Sequence, residues 1–337
     1  MKVRIGLIFS GILITLACRD QGNPIDGRPP CGYAIPSIIC QAPYDSPVWY
    51  PTGQFIGFNH TPLIHVTFPY GRDCPGEQQF DYDSTGFWLI NADGSNIRRI
   101  FPYTLQTPAW SPDGRWIAFV LGGQICRMRF DGTRFDTTTV ERLTANGSNF
   151  FPDWSPNGEW IAYNQSTCQG PNTCGVWMVS SEGGQTRFLA DYGNYPNWSP
   201  LGDKLLYWTV AVNHGGQTIG DSLWSFSVTT NATGFLAFVD GRNHDSRHAR
   251  YSPDASKIAY YSSNNLWLMD SIGVNQLQLT TQGVDVSFGS PFSWSPDGNK
   301  IVYTSYRSQD WGYGNGVLWI LNIRTGEKNQ LTINQQP

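Results

Sequence analysis

The sequence predicts an all-β protein built from six repeats of one four-stranded antiparallel unit. Three observations carry this. First, Trp110-Ser-Pro-Asp-Gly114, Trp154-Ser-Pro-Asn-Gly158, Trp198-Ser-Pro-Leu-Gly202, Tyr251-Ser-Pro-Asp-Ala255 and Trp294-Ser-Pro-Asp-Gly298 are copies of one motif, with a worn copy at Trp49-Tyr-Pro-Thr-Gly53. Second, each is followed by a short apolar run ending in an aromatic, such as Ile117-Ala-Phe119, Ile161-Ala-Tyr163 and Ile258-Ala-Tyr260. Third, five of the six copies have a further apolar run around a tryptophan, as in Val176-Trp-Met-Val179 and Leu266-Trp-Leu-Met269, and the remaining one has Cys126 at that place. Proline presets φ in the turn, aspartate bonds nearby backbone and glycine takes the positive-φ position, so the flanking runs pair as a hairpin. Arg142-Leu-Thr144, Leu279-Thr280 and Leu331-Thr332 mark a fourth strand. A four-stranded unit recurring every 40 to 50 residues or so is the signature of a propeller, here with six blades.

In chain order, residues 1–17 read as a targeting segment. Lys2 and Arg4 precede a 12-residue apolar stretch, Ile5–Leu16, too short to span a membrane as a helix. Thr15-Leu-Ala-Cys18 resembles the lipobox of bacterial lipoproteins, although that box prefers leucine where Thr15 stands. The resemblance implies a lipidated Cys18 and stable anchoring by more than one acyl chain; Arg19 after the cysteine leans toward the outer membrane, on its periplasmic or surface side. Plain secretion is the alternative. Residues 18–45 are rich in Gly and Pro and read as a tether. Residues 46–333 form the propeller, with blades at about 46–104, 105–147, 148–191, 192–240, 245–283 and 288–333.

Composition agrees with a repeat ring. Only 14% of residues are charged, against about a quarter in ordinary domains, while glycine and tryptophan are abundant. The net charge of −4 and the lack of a Lys/Arg cluster exclude a nucleic-acid partner. Twelve of the 14 tryptophans occupy repeat positions and read as blade packing; only Trp208 and Trp311 fall outside the pattern.

The motif Pro-x-Trp-Ser-Pro-Asp-Gly-x-x-Ile-Ala-Phe resembles the WD-like repeat of TolB-type propellers over roughly residues 46–333. That resemblance implies the fold but no one function, since the same repeat builds TolB, peptidase propellers, oligogalacturonate lyases and many lipoproteins. Residues 19–45 are too short for the α/β domain that TolB carries. There is no Gly-x-Ser-x-Gly and no room for the hydrolase domain of the peptidases.

In a four-stranded blade the first-to-second and third-to-fourth turns share one face, and all other connections share the opposite one. The former are tight here. The latter include the long stretches 59–85, 164–175, 209–221, 240–248 and 305–316. Repeat proteins place insertions on their binding face, so ligand contact is expected there. The connection Asp240–Arg250 leads into an innermost strand and carries Arg242, His244, Asp245, Arg247 and His248. Such a group suits an anionic ligand, a metal or acid–base work, or else pairs locally. Equivalent connections contribute Asn149, Phe150, Asn194 and Tyr195, and Trp311 with Tyr313 add an aromatic pair that suits a sugar or peptide, or packs on a neighbouring blade.

Seven cysteines point to an oxidising compartment. Cys168 and Cys174 lie in one loop and are expected to form a disulfide; Cys31 with Cys40 and Cys74 with Cys126 are further candidates, and Cys126 reads equally as a buried thiol. No metal-ligand spacing, P-loop or dinucleotide fingerprint occurs, so no metal or cofactor is expected. The expected function is a membrane-anchored binding module of the cell envelope with a protein, peptide or glycan partner. The alternative is a lyase- or hydrolase-like enzyme using His244 and His248, joined by His60, His65 or His214 if these converge.

Overall fold

The computed structural model describes residues 44–67, 77–167, 169–170, 173–212, 218–240, 248–262, 265–281, 291–305 and 316–332. The described residues are all-β, and six four-stranded antiparallel sheets follow one another along the chain. Blade 1 contains β1 (Tyr44–Trp49), β2 (Phe55–His60), an inserted hairpin of β3 (Leu63–Thr67) and β4 (Glu77–Phe80), then β5 (Gly86–Asn91) and β6 (Arg98–Phe101). Blade 2 is β7 (Gln106–Trp110), β8 (Trp116–Leu121), β9 (Gln124–Phe130) and β10 (Phe135–Arg142). Blade 3 is β11 (Asn149–Trp154), β12 (Trp160–Gln165), β13 (Gly175–Ser180) and β14 (Thr186–Asp191). Blade 4 is β15 (Asn194–Trp198), β16 (Lys204–Val212), β17 (Thr218–Ser227) and β18 (Thr233–Asp240). Blade 5 is β19 (Ala249–Tyr251), β20 (Lys257–Ser262), β21 (Asn265–Asp270) and β22 (Leu277–Gln278). Blade 6 is β23 (Ser293–Trp294), β24 (Lys300–Ser305), β25 (Val317–Asn322) and β26 (Lys328–Gln330).

A lone blade has two apolar faces and no way to bury them except against neighbours. Six buried clusters do this, one for each pair of adjacent blades. Phe55, Phe87 and Leu89 of blade 1 meet Trp110, Phe119 and Met128 of blade 2. On the other side of blade 1, Tyr44, Ile56 and Phe58 meet Val302, Val317 and Leu318 of blade 6. Among the described residues blade 6 draws all four strands from consecutive sequence, and blades 1 and 6 close the ring there by side-chain packing. One backbone hydrogen bond, from Tyr44 N–H to the Gly316 carbonyl, adds to this closure at 3.1 Å.

The repeated turn explains why the motif recurs. Ser111 Oγ donates to Asp113 Oδ1 (2.6 Å) and accepts the Trp116 N–H (2.9 Å), while Arg115 N–H donates to the same carboxylate (3.0 Å). Ser155 with Asn157, Ser252 with Asp254 and Ser295 with Asp297 repeat this network. The turn proline also reaches the next blade: a Cβ on Gly202 would lie 3.2 Å from Pro156, and one on Gly298 3.5 Å from Pro253.

Three sequence expectations are refined by the packing. The Leu-Thr pairs sit just past the fourth strand. There Thr144, Thr280 and Thr332 use their hydroxyls to accept the N–H of Ile125, Leu266 and Leu318 on the third strand, at 2.9–3.0 Å. Trp208, outside the repeat pattern, is 1% exposed in the cluster between blades 4 and 5. Cys126 is a free, buried thiol that burial pushes up to about 11, which overturns its pairing with Cys74. Cys174 is buried and disulfide-bonded; its expected partner Cys168 lies outside the described residues.

Candidate functional site

The innermost strands of blades 1 to 4 share an irregularity that the motif does not announce. Three residues before the anchoring tryptophan, Ser46, Thr107, Phe151 and Tyr195 adopt φ of 51°, 49°, 54° and 53°. Each interrupts the register with the second strand, and each is followed by proline, at positions 47, 108, 152 and 196. Left-handed backbone costs a non-glycine residue roughly 1–2 kcal/mol, and bulges of this kind re-aim side chains beside functional sites. Blades 5 and 6 place His248 and Pro291 at the same station, and β19 pairs with β20 without a break.

The side chains at this station converge at the loop-side end of the central channel. The Phe151 and Tyr195 rings lie 4.2 Å apart, and His248 stands edge-on to both, at 4.7 Å from Tyr195 and 5.7 Å from Phe151. Phe151 and Tyr195 are half-buried; His248 is buried. Behind His248, Tyr261 packs edge-on against Phe292 at 4.9 Å. Phe151, Tyr195 and His248 line a cavity of about 20 Å³, room for a small group, together with Thr107, Asn197 and Arg250.

Two residues deeper, the station before the tryptophan carries a polar relay between blades. Asp153 Oδ2 in blade 3 accepts the Trp198 N–H at 2.7 Å and Asn197 Nδ2 at 3.1 Å, both from blade 4. Asn197 Oδ1 accepts the Tyr251 N–H of blade 5 at 3.1 Å, and Ser293 Oγ of blade 6 accepts the Trp49 N–H of blade 1 at 3.0 Å. Arg250 of blade 5 reaches past blade 4 and donates from Nη1 to Asp153 Oδ1 at 3.2 Å. Burial pushes the Asp153 carboxyl above the usual carboxylate range, while Arg250, the Trp198 amide and Asn197 pull it back.

The structure brings Tyr195 and His248 of the expected ligand residues together. Asn149 is fully buried and donates to Gln124 Oε1 and Thr144 Oγ1, both at 3.1 Å, so it joins blades 2 and 3. Phe150 packs on the cluster between those blades. Asn194 is half-buried at the rim, where Nδ2 donates to the Tyr192 carbonyl (3.2 Å) and Oδ1 accepts Asn164 Nδ2 (3.4 Å). Arg242, His244, Asp245, Arg247, Trp311, Tyr313, Cys18 and His214 lie outside the described residues. His60 is buried and stacked on Tyr44 at 4.0 Å, with Trp88 at 5.3 Å, and His65 is exposed. Sequence reasoning passed over Thr107 and Phe151; the residue before Pro-x-Trp is the signal that finds them.

On the opposite face, a wider cleft of about 490 Å³ lies between blades 2 and 3 beside the tight turns. Its buried Arg127 is already engaged. The guanidinium is bidentate to Glu182 (2.7 and 2.9 Å), bonds Glu141 (2.8 Å) and lies 4.2 Å over the Trp116 ring.

A closed ring of six blades with an aromatic-walled channel end defines the class: a propeller repeat protein. Residues 199–312 match the family model described as the dipeptidyl peptidase IV N-terminal region. An uncharacterised protein of Agrobacterium fabrum, Atu1656, is 35% identical over 217 residues, covering 61% of this chain and 67% of that protein. Among solved structures, a TolB candidate of Agrobacterium tumefaciens superposes with TM-score 0.57 at 20% identity, over 71% of this chain and 84% of that one. TolB of Acinetobacter baumannii gives 0.57 at 17% identity, over 85% of this chain and 65% of that one. The chain belongs to the family of Atu1656, and its fold is the β-propeller that the TolB structures share.

Proposed function

We propose that the protein is a lipid-anchored binding module of the bacterial cell envelope, held at the outer membrane through Cys18. It docks a protein, peptide or glycan on the loop-rich face. The observation that carries this reading is the aromatic channel end. Phe151 and Tyr195 occupy left-handed backbone, half-exposed, with His248 edge-on between blades. Strain of this kind persists where the surrounding structure over-determines it and is concentrated at ligand contacts. The excursions on this side support the reading as well. The inserted hairpin β3–β4 and the nine- and ten-residue strands β16 and β17 all extend toward it. Arg242, His244, Asp245, Arg247, Trp311 and Tyr313 complete the proposed surface.

The test is a paired peptide and glycan array probed with the full-length protein. Tyr195→Ala is expected to lower binding at least tenfold, whereas Leu201→Ala, on the opposite face, leaves it unchanged. Equal binding by both variants would sink the choice of face. The anchor is tested separately: Cys18→Ala should abolish palmitate labelling and release the protein from the membrane fraction. Unchanged labelling would remove Cys18 from its role.

A further inference from the structure

The channel end has one charged residue lining its cavity among the described residues, Arg250. Its partner Asp153 does not line the cavity, and both Asp153 oxygens are engaged, by Arg250, Asn197 and Trp198. Arg250 uses only Nη1 for that contact. Among the described residues its Nε and Nη2 have no partner, while the side chain is 24% exposed. A guanidinium pinned through Nη1 presents its other edge, Nε with Nη2, as two parallel donors. That edge matches a carboxylate bidentately.

The surroundings are short of acceptors in the same place. Thr107 lines the cavity and buries Oγ1 without a hydrogen-bond partner. Tyr261, 1% exposed with its ring 6.4 Å from His248, buries a hydroxyl that also lacks one. Buried polar groups are nearly always satisfied by protein, water or ligand. The other walls are Asn197, His248 and the apolar Pro108, Pro152, Pro196, Pro291 and Ala249, with the Phe151 and Tyr195 rings above. A space of about 20 Å³ accepts the end of a chain, not a sugar ring.

We propose that this cavity captures the free C-terminal carboxylate of a peptide, on the open Nε/Nη2 edge of Arg250, with the Thr107 hydroxyl as a further donor. The last side chain of the peptide rests on the exposed edges of the paired Phe151 and Tyr195 rings. This rests on the binding-module reading above and narrows its ligand to one chemical class. Anchoring by charge-assisted bonds to a preset fork is worth tenfold or more in affinity, on the order of one strong hydrogen bond.

Two random hexapeptide libraries, identical except that one ends in a free acid and the other in an amide, are captured on the full-length protein and quantified by mass spectrometry. The acid library should be retained about tenfold better. Arg250→Lys keeps the charge and its pairing with Asp153 but loses the fork, and should remove that preference; Thr107→Val should reduce it severalfold. Both variants are checked by circular dichroism, and the wild-type acid-to-amide ratio stands without either. Equal retention of the two libraries, lost in Tyr195→Ala, would overturn the anchor and leave the binding module standing. Retention of neither library would overturn both for peptides, and binding confined to oligogalacturonate on a parallel array would move the carboxylate from peptide to sugar and overturn the peptide assignment.

Discussion

The two ends of the same innermost strands are built on opposite principles. At the turn end, four copies of one Ser-Asp or Ser-Asn network satisfy their donors locally. Glycine takes φ near 70° at positions 114, 158, 202 and 298. At the loop end, residues with full side chains hold φ near 50°, no two stations carry the same side chain, and hydroxyls remain buried without partners. One end is uniform and relaxed; the other is varied and strained. Uniformity is what ring assembly requires of every blade, whereas variation and strain at the other end are the features on which the proposed working surface rests.

Substitutions at matched stations probe this contrast. The largest effect is expected at Gly114→Ala, because a Cβ there would lie 2.4–2.8 Å from the Tyr50 ring and hydroxyl, at a φ of +69°. Overpacking and left-handed strain together should cost about 2–4 kcal/mol in denaturant unfolding. Gly122→Ala, with nothing within 4 Å of its Cβ, should cost about half of that or less. A cost at Gly122 equal to that at Gly114 would show that the interblade contact contributes little.

At the strained end the sign reverses. Thr107 is β-branched at φ 49°, so Thr107→Gly should raise stability by about 1 kcal/mol while weakening ligand retention. A loss of stability would mean that the bulge is held by packing rather than kept for function. Ala255 is the one turn copy without glycine, at φ 59°, and Ala255→Gly should add about 0.5 kcal/mol with no effect on binding.

The smallest effect concerns pH. The Ser295 hydroxyl, Asn299 side chain and Asn299 amide hold the Asp297 carboxyl down at about 2, and Asp113 and Asp254 are lowered as well. A carboxylate with a depressed folded-state value stabilises the fold above the unfolded value near 4. That contribution is lost as pH falls from there toward 2. Melting temperature should therefore drop between about pH 4 and 2, and Asp297→Asn should shallow the drop. Asn157, which occupies this place in blade 3 with the same serine bond, shows that the amide is tolerated. An unchanged slope in the variant would assign the acid limb to other groups.

Much of the fold was legible because assembly repeats it. The tryptophan stations, the serine–proline turns and the blade spacing all recur, and each copy corroborates the next. Trp208 was not legible, since it occupies a second-strand position that is asparagine in blades 1 and 3 and tyrosine in blade 5. Ring closure was not legible either, because packing between first and last blades leaves no local motif. At the candidate site, His248 and Tyr195 could be read from the connections that carry them. Asn149 could not be separated from a ligand residue, because a buried asparagine tying two blades has the same sequence appearance as an exposed one. Phe151 and Thr107 were hidden by a bulge that depends on backbone conformation, with only a following proline to betray it.

The most direct test places a photoreactive phenylalanine analogue at Tyr195 in one full-length variant and at Leu201, 73% exposed on the turn face, in another. Each is illuminated in intact bacterial cells producing it. A discrete cross-linked adduct from position 195 and none from position 201 is the expected result. An adduct from 201 with none from 195 would contradict the assignment of the working surface.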